Sequence, residues 1–142
     1  MLFRSFERLR PDLLTFRGEN GVELFDLPDA PRPDPDTPAP VRFLYDFDNL
    51  LLSHNDRGRV VTVNYADQGF GRTNEQPRSV LVDGYVAATW KLATNHDTAT
   101  LTVRPFRKLT VAEREQLDAE GARLLAFLTP STTVHDIALH RH

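Results

Sequence analysis

Asp46, Asp48, Asn49, His54, Asn55, Asp56, Arg57 and Arg59 form the densest polar run in the chain. Carboxylates and an imidazole are the groups that acid–base catalysis or metal ligation would use. The spacing argues against a metal, because a calcium loop needs D-x-D-x-D-G and a distal Glu, which the run lacks. Asp-rich turns also cap helices and close loops. Beside that structural reading, and ahead of catalysis, stands a polar contact surface in which Arg57 and Arg59, with His54 close by in sequence, reach phosphates. His135, His140 and His142 near the end of the sequence could chelate a metal, but a frayed segment offers no fixed geometry, so no metal is expected. Ser53 beside His54 lacks the G-x-S-x-G elbow of a nucleophile. There is no Walker loop and no G-x-G-x-x-G, and Gly69-Phe70-Gly71 reads as part of a mobile loop. With zero cysteines, disulfides, zinc thiolates, iron–sulfur ligation and thiol nucleophiles are excluded, and no cofactor is expected. Arg78, Lys91, Arg104, Arg107 and Lys108 could form a basic stripe, although a solvated outer sheet face is the default.

The elements that must position these residues come from a chain of 142 residues with net charge −3, enough for one domain with a single core or one domain plus a fragment of a second, and too acidic for nucleic-acid binding by bulk electrostatics alone. Charge is uneven: residues 1–27 carry 4 basic and 5 acidic side chains, residues 41–109 carry 9 and 7, and residues 110–128 carry 2 and 4. Only the middle section is mildly basic. No run of about 18 apolar residues could span a bilayer, so no membrane partner is expected. The opening MLFRSFERLR lacks the apolar core of a secretory signal, which leaves the cytoplasm as the default location.

Apolar residues at 2, 3, 6 and 9 predict a short helix that stops at Pro11. Two β-tolerant runs then flank Glu19-Asn20-Gly21, predicting a hairpin with Arg17 near its tip. Six prolines between Pro28 and Pro40 predict an extended, polyproline-like connector, the alternative being a surface loop within one domain. After it, Val41–Leu44 reads as a strand, Asp46–Asn49 as a turn, and Arg59–Val63 as a strand or a short buried turn. The breaker-rich stretch 64–77 reads as a loop. Strands over 78–83 and 85–92 meet at Asp83-Gly84, and 98–106 supplies a third, giving an antiparallel meander with Trp90 and Phe106 in the core. Thr110–Glu113 is a capping box opening an amphipathic helix with Leu117, Gly121, Leu124, Leu125 and Leu128 on its inner face. Residues 129–142 read as a polar tail with a short apolar patch at Ile137 and Leu139.

The run ELFDLPDAPRPDPDTPAPVRFLYDFDNLLLSHNDRGRVV, followed by VLVDGYVAATWKL, TLTVRPFRKLT and EREQLDAEGARLLAFL, resembles the C-terminal part of the actinobacterial winged-helix DNA-binding domain-containing proteins. That family includes the DNA glycosylases that unhook crosslinks and excise alkylpurines. The resemblance implies an α+β, mainly β fold: an antiparallel, barrel-like sheet closed by a C-terminal amphipathic helix, preceded by a short helix and a wing-like hairpin. It implies a winged-helix remnant over 1–27, a connector over 28–40, a barrel-like domain with its closing helix over 41–128, and a tail over 129–142. Asp48 and Asn49 fall in the segment that matches the family signature after the linker. The family's catalytic Gln-x-Gln or Gln-x-Asp motif lies upstream of the matching region, and Gln68, Gln76 and Gln116 sit in no such motif. The resemblance therefore implies a truncated or stand-alone accessory module without base excision. Its expected partner is DNA, held weakly and without sequence preference by Arg17, His54, Arg57 and Arg59. The alternative is an interaction protein that forms a homodimer, or that joins a chain supplying the winged-helix modules, through Phe3, Phe6, Phe16 and Phe25.

Overall fold

The computed structural model describes residues 2–54, 57–62 and 77–140, with side chains from residue 6 onward. The predicted loop over 64–77 therefore lies outside the described residues apart from Pro77, as do Asn55, Asp56 and His142, and the side chain of Phe3. The chain divides into two compact units, Met1–Thr37 and Pro38–His142. Among the described residues, no helix is long and apolar enough to cross a membrane.

In the first unit, α1 (Leu2–Leu9) passes into a 3-10 turn over Arg10–Asp12 instead of ending at Pro11. Proline is tolerated in a first turn, because the amide it lacks has no partner there. β1 (Leu14–Arg17) and β2 (Glu23–Asp26) pair antiparallel as the predicted hairpin. Phe6 meets Phe25 edge-to-face at 5.0 Å, and the Arg10 guanidinium lies 4.9 Å from the same ring. The proline-rich stretch is not a straight rod. Arg32 folds back, donating to the Leu27 carbonyl at 2.7 Å, and Thr37 closes a turn onto the Asp34 carbonyl at 2.9 Å.

The second unit holds β3 (Arg42–Phe43), α2 (Asn49–Leu52), β4 (Ser79–Val82), β5 (Tyr85–Asn95), β6 (Thr98–Pro105), α3 (Val111–Leu128) and β7 (Val134–Leu139). The strands make one sheet in the order β3-β4-β5-β6-β7. The β4–β5 turn follows from its two central residues, Asp83 and Gly84, both at positive φ (51° and 78°), the twist a two-residue hairpin requires. The architecture is mainly β with few helices, as expected, and the sheet runs antiparallel from β3 to β6. Among the described residues its strands do not close on themselves into a barrel, since β3 and β7 stand at opposite edges. The segment read as a polar tail is corrected: β7 pairs parallel with β6, Ile137 beside Leu101 and Leu139 beside Val103. These two apolar residues complete a core that was not visible locally. Residues 59–62 form no strand; a turn over residues 58–60 stands there, the second of the two readings.

One face of the sheet is sealed by α3. Leu117, Gly121 and Leu125 are buried against Val80, Val82, Ala88, Trp90, Ala99, Leu101 and Val103. Gly121 lets the helix approach closely, because a β-carbon there would lie 3.0 Å from both Ile137 Cδ1 and Leu101 Cδ2. A second apolar cluster gathers Leu51, Val61, Leu81 and Val86. A β-bulge makes it possible: Val80 pairs with Ala88 but Leu81 pairs with Val86, leaving Ala87 as an extra residue. Side chains alternate along a strand, so the extra residue places Ala87 with Ala88 in the first cluster and turns Val86 into the second. Phe106 packs half-buried against this second cluster, while Trp90 is fully inside the first and donates its indole N–H to the Leu44 carbonyl at 2.8 Å.

Candidate nucleic-acid interface

In the first unit, Arg17 ends β1 directly opposite Glu23. The loop beyond it is set by Gly21 at φ 77° and by Asn20, whose side-chain oxygen accepts from the Val22 amide at 3.2 Å. The Glu23 carboxylate is taken by Arg10 at 2.6 Å, so Arg17 stands exposed with no ion pair to another described residue. The hairpin thus presents an exposed cation near its tip, two residues from the exposed carboxylate of Glu19.

In the second unit, the Asp-rich run does structural work first. Asp48 caps α2, its carboxylate accepting from the Leu50 amide at 2.9 Å. Asn49 opens that helix and is exposed. Asp46 is half-buried, with Oδ1 3.5 Å from Arg78 Nε. Phe47 between them adopts φ 61°, a left-handed conformation that is strained for a bulky side chain, and is exposed. His54 follows the end of α2 and is exposed. Arg57 is half-buried, and its carbonyl accepts from the amides of Val60 and Val61 at 3.0 and 2.9 Å. Arg59 rides exposed on that turn with no ion pair to another described residue. The run is anchored by Leu51 within it and by Val61 just after it, both in the second cluster.

The five basic residues read as a stripe separate into two groups. Arg78 is engaged: Nη2 donates to the Tyr45 hydroxyl at 2.8 Å, and its guanidinium lies 4.3 Å from the Tyr45 ring and 5.0 Å from Trp90. Arg107 forks onto Glu113 at 2.9 and 2.7 Å. With the Thr110 amide also donating to Glu113, its carboxyl is pulled down to about 2, the Arg107 bond being the larger cause. Lys91, Arg104 and Lys108 are exposed and make no ion pair with another described residue.

Among the described residues, no three His, Cys, Asp or Glu side chains converge as a metal site. His135 lies 3.1 Å from Thr129 Oγ1 and 2.9 Å from Thr132 Oγ1, where it ties β7 to the end of α3. It stands at the opposite end of β7 from His140, so these two do not meet. Local sequence carried no sign that His140 would lie beside Arg104, because that neighbourhood depends on the parallel pairing of β7.

Residues 2–127 match the model of the family described as DNA glycosylase AlkZ-like. The chain belongs to this family of DNA-repair glycosylases and their relatives, as the resemblance implied. Among solved structures it is similar to the DNA glycosylase AlkZ of Streptomyces sahachiroi, with 18% identity and a TM-score of 0.70. The match covers 98% of this chain and 36% of that one, so the chain spans about a third of the glycosylase's length. No curated protein matches it.

Proposed function

We propose that this chain is a DNA-contacting accessory module of the AlkZ-like family, acting in the cytoplasm and without base excision of its own. The observation that carries the reading is how the polar groups divide. Asp48 serves as a helix cap and Asp46 lies beside Arg78, whereas Arg17 and Arg59 stand exposed without ion pairs to described residues. Of the described charged groups of the run, the exposed one, Arg59, is cationic, and cations on a hairpin and an anchored turn suit phosphate contacts that hold DNA without reading its sequence. His54 and the half-buried Arg57 belong to the same anchored run.

The test is fluorescence anisotropy on labelled duplex and single-stranded DNA across a salt series, with base release measured on alkylated duplex. Expected are salt-steep binding that is indifferent to sequence, weakening in Arg57→Ala/Arg59→Ala, and no abasic product. Failure to bind either DNA at low salt would end the binding reading, and base release would end the accessory one.

A second reading rests on the first unit. Leu9, Leu14, Phe16 and Val22 are all exposed there, an apolar concentration of the kind that drives association. Light scattering of the purified chain decides it: a concentration-dependent dimer supports self-association, and a monomer at all concentrations removes it.

A further inference from the structure

The register of β5, β6 and β7 gathers cations that are far apart in the chain. Lys91 pairs with Thr102, and Arg104 stands two residues further along β6, so the two are diagonal neighbours on the sheet face opposite α3. Such neighbours lie about 7–8 Å apart. Leu139 pairs with Val103, and the His140 amide donates to the Val103 carbonyl at 2.9 Å, which sets His140 beside Arg104. Lys91, Thr102, Arg104 and His140 line one cleft of about 280 Å³. A second cleft of about 430 Å³ shares His140 and adds Lys108, with Arg107 held by Glu113 and Arg114 3.9 Å from Asp118. Neither lining contains a carboxylate, in a chain whose net charge is −3. On β5 to β7 the register places one acidic side chain on this face, Asp136, opposite Thr100 and outside both linings.

The geometry points to a phosphate-binding groove on the outer face of β5, β6 and β7, centred on Lys91 and Arg104, that takes the backbone of duplex DNA. The threonines between the cations are short, leaving room for a sugar–phosphate strand, and their hydroxyls can donate to phosphate oxygens. The spacing of Lys91 and Arg104 is about twice the rise of about 3.4 Å per charge along one strand, so the pair suits phosphates two steps apart. This inference rests on the DNA-contacting reading above but uses residues separate from Arg17, Arg57 and Arg59.

The experiment compares full-length wild type, Lys91→Gln/Arg104→Gln and Arg57→Ala/Arg59→Ala by anisotropy on one labelled duplex between 50 and 200 mM salt. Thermal melting serves as a folding control, and both single glutamine variants stand in if the double variant unfolds. The glutamine pair is expected to weaken binding at least about tenfold at the lowest salt and to flatten the slope of log K against log salt by about 1.8, the value for two lost phosphate contacts. Lys91→Arg is expected to bind as wild type. If wild type binds and the folded glutamine pair binds equally well with the same slope, the groove is refuted while the DNA-contacting reading stands. If wild type does not bind, both fall.

Discussion

The main-chain amide of Val86 donates to the carbonyl of Val60 at 2.7 Å. This bond fastens the turn that carries Arg57 and Arg59 to β5, beside the cluster of Leu51, Val61, Leu81 and Val86. A cation on a turn positions a phosphate only if the turn itself is held. Removing the apolar support is therefore expected to act on stability and on binding together. Leu51→Ala, at a side chain 2% exposed, is expected to cost about 2–4 kcal/mol in urea denaturation and to weaken DNA binding even well below the melting temperature. A loss below about 1 kcal/mol would show that the run is held by something other than this cluster.

Glu113 closes the capping box of α3 and receives the Arg107 fork. Its carboxyl titrates near 2 in the folded protein against an ordinary 4.5. A depressed carboxyl contributes stability in full above its unfolded value and loses it as pH falls through the folded one. Glu113→Ala is accordingly expected to cost about 1 kcal/mol at pH 7, the usual worth of a cap. The gap from wild type should stay constant down to about pH 4.5 and narrow between there and about pH 2. Denaturation midpoints across that range check it, and a gap that widens on acidification would contradict the assignment.

Gly121 in the middle of α3 looks like a defect, since alanine is favoured over glycine in a helix by about 1 kcal/mol. The site reverses that preference. A β-carbon would press on Leu101 and Ile137 at 3.0 Å, and Leu101 is fully buried. Overpacking costs about 1–3 kcal/mol. Gly121→Ala is expected to lower stability by about 1 kcal/mol net, and Gly121→Val by clearly more. A stabilised alanine variant in thermal melts would mean that the helix can shift outward without loss.

Asp48 separates a structural from a recognition role in the signature segment. Asp48→Asn keeps a side-chain oxygen for the Leu50 amide, whereas Asp48→Ala removes it. The alanine variant is expected to lose about 1 kcal/mol and the asparagine variant only a few tenths, with DNA affinity unchanged or slightly raised by loss of a negative charge. A collapse of binding in a stable asparagine variant would move Asp48 into the contact surface.

The parts of this fold legible from sequence are those written in neighbouring residues. Asp83-Gly84 announced its turn, Thr110–Glu113 its helix start, and Glu19-Asn20-Gly21 its hairpin loop, because each depends on backbone preferences within four residues. The strand over residues 134–139 is not legible locally, because its apolar patch, Ile137 and Leu139, gains its meaning only from β6, some 36 positions earlier at the Leu101–Ile137 pair. The candidate site divided the same way. Asp48, Arg57 and Arg59 stood out as a local cluster, and its role as a cap was among the readings for the Asp-rich turn. That Arg78 and Arg107 would be occupied while Lys91 and Arg104 stay open is a tertiary outcome, decided by which carboxylates and rings the sheet brings near.

The surplus alanine at position 87 gives β5 a change of parity partway along. Odd and even swap roles there, and one ribbon of chain can feed apolar groups to two separate interiors. It follows that β5 carries one residue more than its pairing with β4 requires. Excising Ala87 would leave Val80–Ala88 and Leu81–Val86 as consecutive pairs, so the strand would run straight while Val86 kept its place beside Leu51 and Val61.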